Sequence, residues 1–229
     1  INYAVNRTGI VKALFRGLGQ PAAQLIPSGV VGYNDKLQLW PHDTEKAKQL
    51  IAEAKADGVP VDTQIRLIGR TAQFPNISET IEVLQAEFTE IGLNVKIEMM
   101  DTANQLQYQL RPFPSNPGPY LLMIMHGNQA GDTQFTLDQY MLSDGYQSTY
   151  GTAAYDEQIR AAEALTGPAR QNALAAVLAT EPREIRQYAY IAHMQAVLAK
   201  ANRVAYRPNS STGDEMRLAE MTHAPAQND

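Results

Sequence analysis

Residues 61–100 read VDTQIRLIGRTAQFPNISETIEVLQAEFTEIGLNVKIEMM, and two changes of period inside this stretch decide the fold. Val61, Thr63, Ile65 and Leu67 alternate at period two, the mark of a half-buried strand. Ile77, Ile81, Leu84, Phe88 and Ile91 then fall on one stripe of a 3.6-residue helix. Asn76 with Glu79 resembles a capping box at its start, and Gly92 stops it. Leu93, Val95, Ile97 and Met99 return to period two as a second strand. Strand, helix, strand with a helix of this length between is the parallel crossover unit, which requires a sheet covered on both faces. The expected fold class is therefore α/β.

Outward from this unit, Ile10, Val11, Leu14, Phe15 and Leu18 share a stripe and predict an opening helix of about four turns. Gln20–Pro41 is punctuated by Pro and Gly without a period, an excursion long enough to suggest a functional loop. Asp43 or Thr44 caps a helix carrying Ala47, Leu50, Ile51 and Ala54 and ending near Asp57-Gly58. Asp101 or Thr102 opens a short helix, and the apolar run Leu121–Met125 fits the buried centre of the sheet. Residues 135–142, 155–165 and 168–180 read as helices, the last with Pro168 in its first turn, and 188–200 as a strand. From residue 207 to 229 the periodicity is lost, as in an irregular tail.

Composition narrows the function. The 229 residues carry 19 Lys and Arg against 24 Asp and Glu, a net charge of -5, with no dense basic run of the kind nucleic acid requires. The longest apolar run is far short of the ~20 residues that cross a bilayer. Without cysteine there is neither a disulfide framework nor a thiolate nucleophile or ligand. His42, His193 and His223 are scattered without acidic neighbours at ligand spacing, so no metal or cofactor is expected. Glu79, Glu82, Glu87 and Glu90 read as a solvated helix face. Ile1 in place of Met, with the chain opening directly in a helical pattern, suggests a segment cut from a longer polypeptide.

Six stretches carry a family resemblance: INYAVNRTGIVKALFRGLGQPAAQLIP (1–27), DTEKAKQLIAEA (43–54), LQAEFTEIGLNVKIEMMD (84–101), YLLMIMHGNQAGDTQF (120–135), AAYDEQIRAAEAL (153–165) and YAYIAHMQAVLAKANRV (188–204). In this order and spacing they resemble the second lobe of family 5 extracellular solute-binding proteins, the dipeptide, oligopeptide and nickel-binding group. The resemblance implies a periplasmic-binding-protein-like (type II) lobe, with a mixed, mostly parallel sheet between helices. Residues 1–206 would be the C-terminal lobe, followed by the tail, with the N-terminal lobe absent. It further implies a monomeric periplasmic or extracellular receptor, with a lipid anchor ahead of Ile1 as one option. Such a receptor closes on a peptide or other small solute and presents it to an ABC permease in the membrane.

Ligands of open α/β sheets sit beyond the carboxyl ends of strands, so the loop His126-Gly127-Asn128-Gln129-Ala130-Gly131-Asp132 is the expected recognition element. Peptide receptors of the family place an acid here for a ligand's ammonium; Asn128 occupies that position and cannot neutralise it. Asn128 is read as a ligand contact, against the alternative of turn chemistry. Asp132 is the nearest carboxylate, although a helix cap is its simpler role. Met125 lines a pocket wall or the core, Asp101 reaches the cleft or caps its helix, and Tyr146 and Tyr150 stack on a ligand or lie on the surface.

Two other classes compete. A hydrolase would join His126 and Asp132 with Ser143, without a Gly-x-Ser-x-Gly elbow, a phosphate-binding glycine loop or HExxH in support. A ligand-sensing module of a regulator, or a plain interaction domain, would use the same lobe, and a DNA-binding domain ahead of Ile1 would mark the regulator.

Overall fold

The computed structural model describes residues 1–128, 130–209 and 216–224. Asn6 opens α1 (Arg7–Leu14) by accepting the Gly9 N–H through its side chain at 2.9 Å. The helix has eight residues, about half the length its apolar stripe predicts, because Arg16 and Gly17 take positive φ and turn the chain away. Leu18, placed on the stripe by the sequence, is left exposed. The chain next forms β1 (Gly19–Pro21) and the expected excursion, and Asp43 caps α2 (Thr44–Ala56) at the Lys46 N–H, 2.8 Å.

The crossover unit follows as β2 (Ile65–Arg70), α3 (Ile77–Glu90) and β3 (Val95–Met100), with β2 and β3 parallel from Ile65↔Val95 to Arg70↔Met100. Val61 is buried but precedes the strand, because Val61 and Thr63 donate backwards to Val59 and Pro60 in turns. The capping box does not form. Asn76 stands in the left-handed region with φ 62° and makes no side-chain cap; instead its Nδ2 donates to the Leu14 carbonyl at 2.6 Å, tying the start of α3 to the end of α1. Asp101 caps α4 (Thr102–Gln109), after which β4 (Tyr120–Leu122) pairs with β2 on its other side, again parallel.

The sheet order is β3-β2-β4, so the central strand is β2 and not the Leu121–Met125 run. Leu67 and Ile68 are essentially inaccessible, whereas residues 121–124 are half-buried and Met125 is exposed. Five apolar residues in a row do not by themselves reveal how many neighbours a strand has; β4 has one in this sheet. Leu67 and Val95 pack on α1 and α3 with Ile10, Ile81, Leu84 and Phe88. On the opposite face Arg66 bonds the Tyr108 hydroxyl of α4 at 3.1 Å and lies over its ring. Helices thus cover both faces, as an α/β class with parallel strands demands.

A second apolar cluster joins α5 (Thr133–Thr136), its π-helical continuation Leu137–Met141, α6 (Ala153–Glu163) and α7 (Gly167–Thr180), around Leu137, Met141, Ile159, Leu174 and Leu178. Ile26 and Val30 from the long excursion complete it. A second π turn, Glu181–Ile185, ends α7. The strand predicted over 188–200 is regular only at β5 (Ala192–Met194), which pairs antiparallel with β1. Val204–Ala205 (β6) pairs with Thr222–His223 (β7), also antiparallel.

One buried cation joins the first residues to the chain's return. Arg7 donates through Nε to the Tyr190 carbonyl, through Nη1 to the Asn2 carbonyl at 3.0 Å and through Nη2 to Asn2 Oδ1 at 2.6 Å. Glu87 lies beside it and accepts the Asn6 N–H at 3.1 Å. This carboxyl is half-buried rather than part of a solvated face, and desolvation pushes its pKa up to about 7.

Gly69 tests the packing of this layer. A Cβ there would fall against the tip of Ile81 and 2.8 Å from the Met99 sulfur. Gly69→Ala is expected to cost about 1–3 kcal/mol through overpacking, read as a lowered urea midpoint with an unchanged slope. An unchanged midpoint would mean that α3 and β2 are less tightly apposed than the structure shows.

Candidate functional site

Beyond β4 the chain lines a cleft of about 1100 Å³, whose other wall is the returning segment 187–196. Met125, His126, Gly127 and Asn128 all border it. Met125 is 50% exposed, which makes it a wall and not core. His126 is fixed by Thr136, whose Oγ1 lies 2.7 Å from Nε2, and by Phe135 and Tyr140, with ring centroids at 5.9 and 4.5 Å.

Asn128 holds the loop itself together. Its Nδ2 donates to the Asp132 carbonyl at 3.0 Å and to Thr136 Oγ1 at 3.1 Å, and its Oδ1 accepts the Asp132 N–H at 3.3 Å. Both amide ends are thereby engaged within residues 128–136, while the residue still borders the cleft. Gln129 lies outside the described residues. Gly131 takes φ 65°, and its carbonyl accepts the Val31 N–H at 3.2 Å, so the long excursion braces the loop from outside.

Asp132 opens α5 by accepting the Gln134 N–H at 2.9 Å, which makes it the helix cap. It also pairs with both Arg170 terminal nitrogens, at 2.7 and 2.8 Å, and this hydrogen bonding lowers its pKa. Asp101 is exposed and caps α4 through the Asn104 N–H at 2.9 Å. Tyr146 is exposed, with its backbone carbonyl held by the Arg111 N–H. Asp132, Asp101 and Tyr146 are not among the cleft-lining residues. The residues of the hydrolase alternative go to three separate partners: His126 to Thr136, Asp132 to Arg170, and Ser143 to Asp156.

The sequence reading missed the rest of the wall. Gln109 and Gln147, 38 positions apart, meet at 2.6 Å, and Gln24 and His193 meet across the β1–β5 ribbon, Nε2 to the Gln24 carbonyl at 2.8 Å. Burial lowers the His193 pKa, keeping the ring neutral at neutral pH. Tyr188 and Tyr190 stack beside the cleft above Glu181, a buried carboxyl that takes the Tyr190 hydroxyl at 2.6 Å and the Tyr188 N–H at 3.0 Å. Scattered glutamines carry no periodic signal, so only the topology brings them together.

Two expectations follow. Asn128→Ala opens the 128–132 turn and leaves buried backbone groups unpaired, at a cost of about 1–3 kcal/mol; a urea titration showing no loss would mean that the amide does not hold the turn. Glu163 has a buried Oε1 without a hydrogen bond, and desolvation, then Asp138, raises its pKa to about 7 from 4.5. Its contribution to stability is therefore full below the unfolded value and lost as pH rises through about 7. Glu163→Gln should shrink the fall in stability between about pH 5 and pH 8 by up to ~1 kcal/mol, discounted for partial exposure. An unchanged fall would assign it to Glu87 or other groups.

Comparison with known proteins agrees with this architecture. Residues 1–154 match the family model described as bacterial extracellular solute-binding proteins, family 5 Middle. The dipeptide-binding protein of Escherichia coli is 38% identical over 98 residues, 42% of this chain and 18% of its own length. Heme-binding protein A of Haemophilus influenzae is 37% identical over 94 residues, 41% of this chain and 17% of its own. The crystal structure of a dipeptide-binding protein from Pseudoalteromonas sp. SM9913 in complex with Met-Leu superposes with a TM-score of 0.77 at 17% identity, over 97% of this chain and 44% of that one. The chain spans less than half the length of these relatives. With its family model matched over residues 1–154 and its lobe architecture shared, the chain belongs to family 5 of the bacterial extracellular solute-binding proteins.

Proposed function

We propose that this chain is part of the substrate-binding component of an ABC importer, capturing a peptide or other small solute between two lobes that close on a hinge. Residues 1–206 are its C-terminal lobe and 207–229 a tail. The single observation that carries the reading is the cleft at the carboxyl end of β4, bordered by residues 125–128, where open α/β sheets place their ligands. The family's extracellular character supports a periplasmic or extracellular position. No helix among the described residues is long and apolar enough to cross a membrane.

In this reading Met125 and His126 form the wall that meets the ligand. Asn128 sets the loop's shape, Asp132 anchors it through Arg170, and Gly127 lets backbone approach. The full-length protein works as a monomer, binds without chemical change, and docks its closed form on a membrane permease. Thermal shift of the full-length protein across peptides, opines, sugars and nickel complexes tests this, since a native-state ligand stabilises by RT ln(1 + [L]/Kd). A stabilising solute recovered intact by mass spectrometry is the expected outcome. Conversion of that solute would establish an enzyme instead.

A further inference from the structure

The cleft is large, yet no described side chain lining it belongs to Asp, Glu, Lys or Arg. The surrounding chain is not short of charge: Arg7, Glu181, Asp132 and Arg170 all lie close by in sequence or space, each turned into its own buried or capping contacts. Beside tyrosine and threonine hydroxyls and two imidazoles, two kinds of side chain make up most of its wall. Leu122, Ile124, Met125, Phe74, Ile191 and Met194 give an apolar surface. Gln73, Gln147 and Gln187 give neutral amides, the Gln73 Oε1 buried without a hydrogen bond, while Gln24, Gln109 and Asn128 add amides whose two ends are already bonded within the chain. The two imidazoles, His126 and His193, are each held by a neutral oxygen, of Thr136 and of the Gln24 carbonyl.

An ammonium or carboxylate buried here would be desolvated without a side-chain counter-charge among the described residues. A peptide unit would meet its match, because a side-chain amide offers one acceptor and two donors to the N–H and C=O of another amide. Gln109 and Gln147 already pair in this way, at 2.6 Å.

Building on the function proposed above, we infer that the part of the ligand held by this lobe is uncharged: amide units bearing apolar side groups, with ends blocked or cyclised. A free zwitterionic peptide is not the class this surface selects.

Titration calorimetry on the full-length protein at neutral pH, with Leu-Leu, Leu-Leu-amide, N-acetyl-Leu-Leu-amide and cyclo(Leu-Leu) as probes, tests the inference. The expected result is that an end-blocked probe binds at least ~10-fold tighter than Leu-Leu, with a Kd that changes less than ~2-fold between low and high salt. Gln147→Glu, which keeps the acceptor for Gln109 and adds a charge, should shift preference toward Leu-Leu-amide with its free ammonium. Tighter binding of Leu-Leu, a strongly salt-dependent Kd, or no shift in the variant would overturn the inference. If none of the four probes binds while another solute of the thermal panel stabilises the protein, the ligand class is wrong and the binding function stands. If no solute stabilises it, the binding function falls as well.

Discussion

The constraint on which the rest depends is that β2 pairs in parallel on both sides. Parallel strands need long connections, and those connections become the helices that cover the sheet. With β3 on one edge and β4 on the other, Leu67 and Ile68 are sealed, and the carboxyl ends of the strands face one way. Packing α1 and α3 on one face and α4 on the other leaves the segment after β4 to turn over the end of the sheet. The cleft lies where that segment meets the returning chain, so its place follows from the sheet order and not from any residue in it.

The loop that borders the cleft is fastened from three directions. Val31 bonds it from the long excursion, Arg170 holds Asp132 from α7, and the Asn128 amide closes it from within. Contacts of this kind are made by the chain itself, and under the function proposed above they lower the ordering entropy lost on binding. The excursion over Gln20–Pro41 gains a purpose here: it braces the loop that borders the cleft and closes the second core with Ile26 and Val30.

What could be read from the sequence was local and periodic. The stripe of α3, the alternation into β2 and β3, the Asp43 and Asp101 caps and the Pro168 start all rest on contacts within a few residues. What could not be read depends on partners far away. Asn76 has the sequence context of a cap but bonds Leu14, 62 positions earlier. The run at Leu121–Met125 has the composition of a central strand but finds one neighbour in the sheet. The amide of Asn128 has the chemistry of a ligand contact but is engaged by its own loop, and the glutamines of the cleft wall meet across tens of residues. The loop's position was legible from the end of an apolar run; the division of labour inside it was not.

Arg7 has a mechanical meaning beyond its contribution to folding. Its planar head grips Asn2 on one side and Tyr190 on the other, so the outset of the chain and the segment that returns past the cleft are one strap, not two strands. The two segments are joined again where the Asn2 Nδ2 donates to the Tyr188 carbonyl and where β1 pairs with β5, so a load on either is shared across several contacts. Because the same returning segment carries Tyr188, Tyr190 and His193 along the cleft, the contacts that fasten the strap also hold that wall in place.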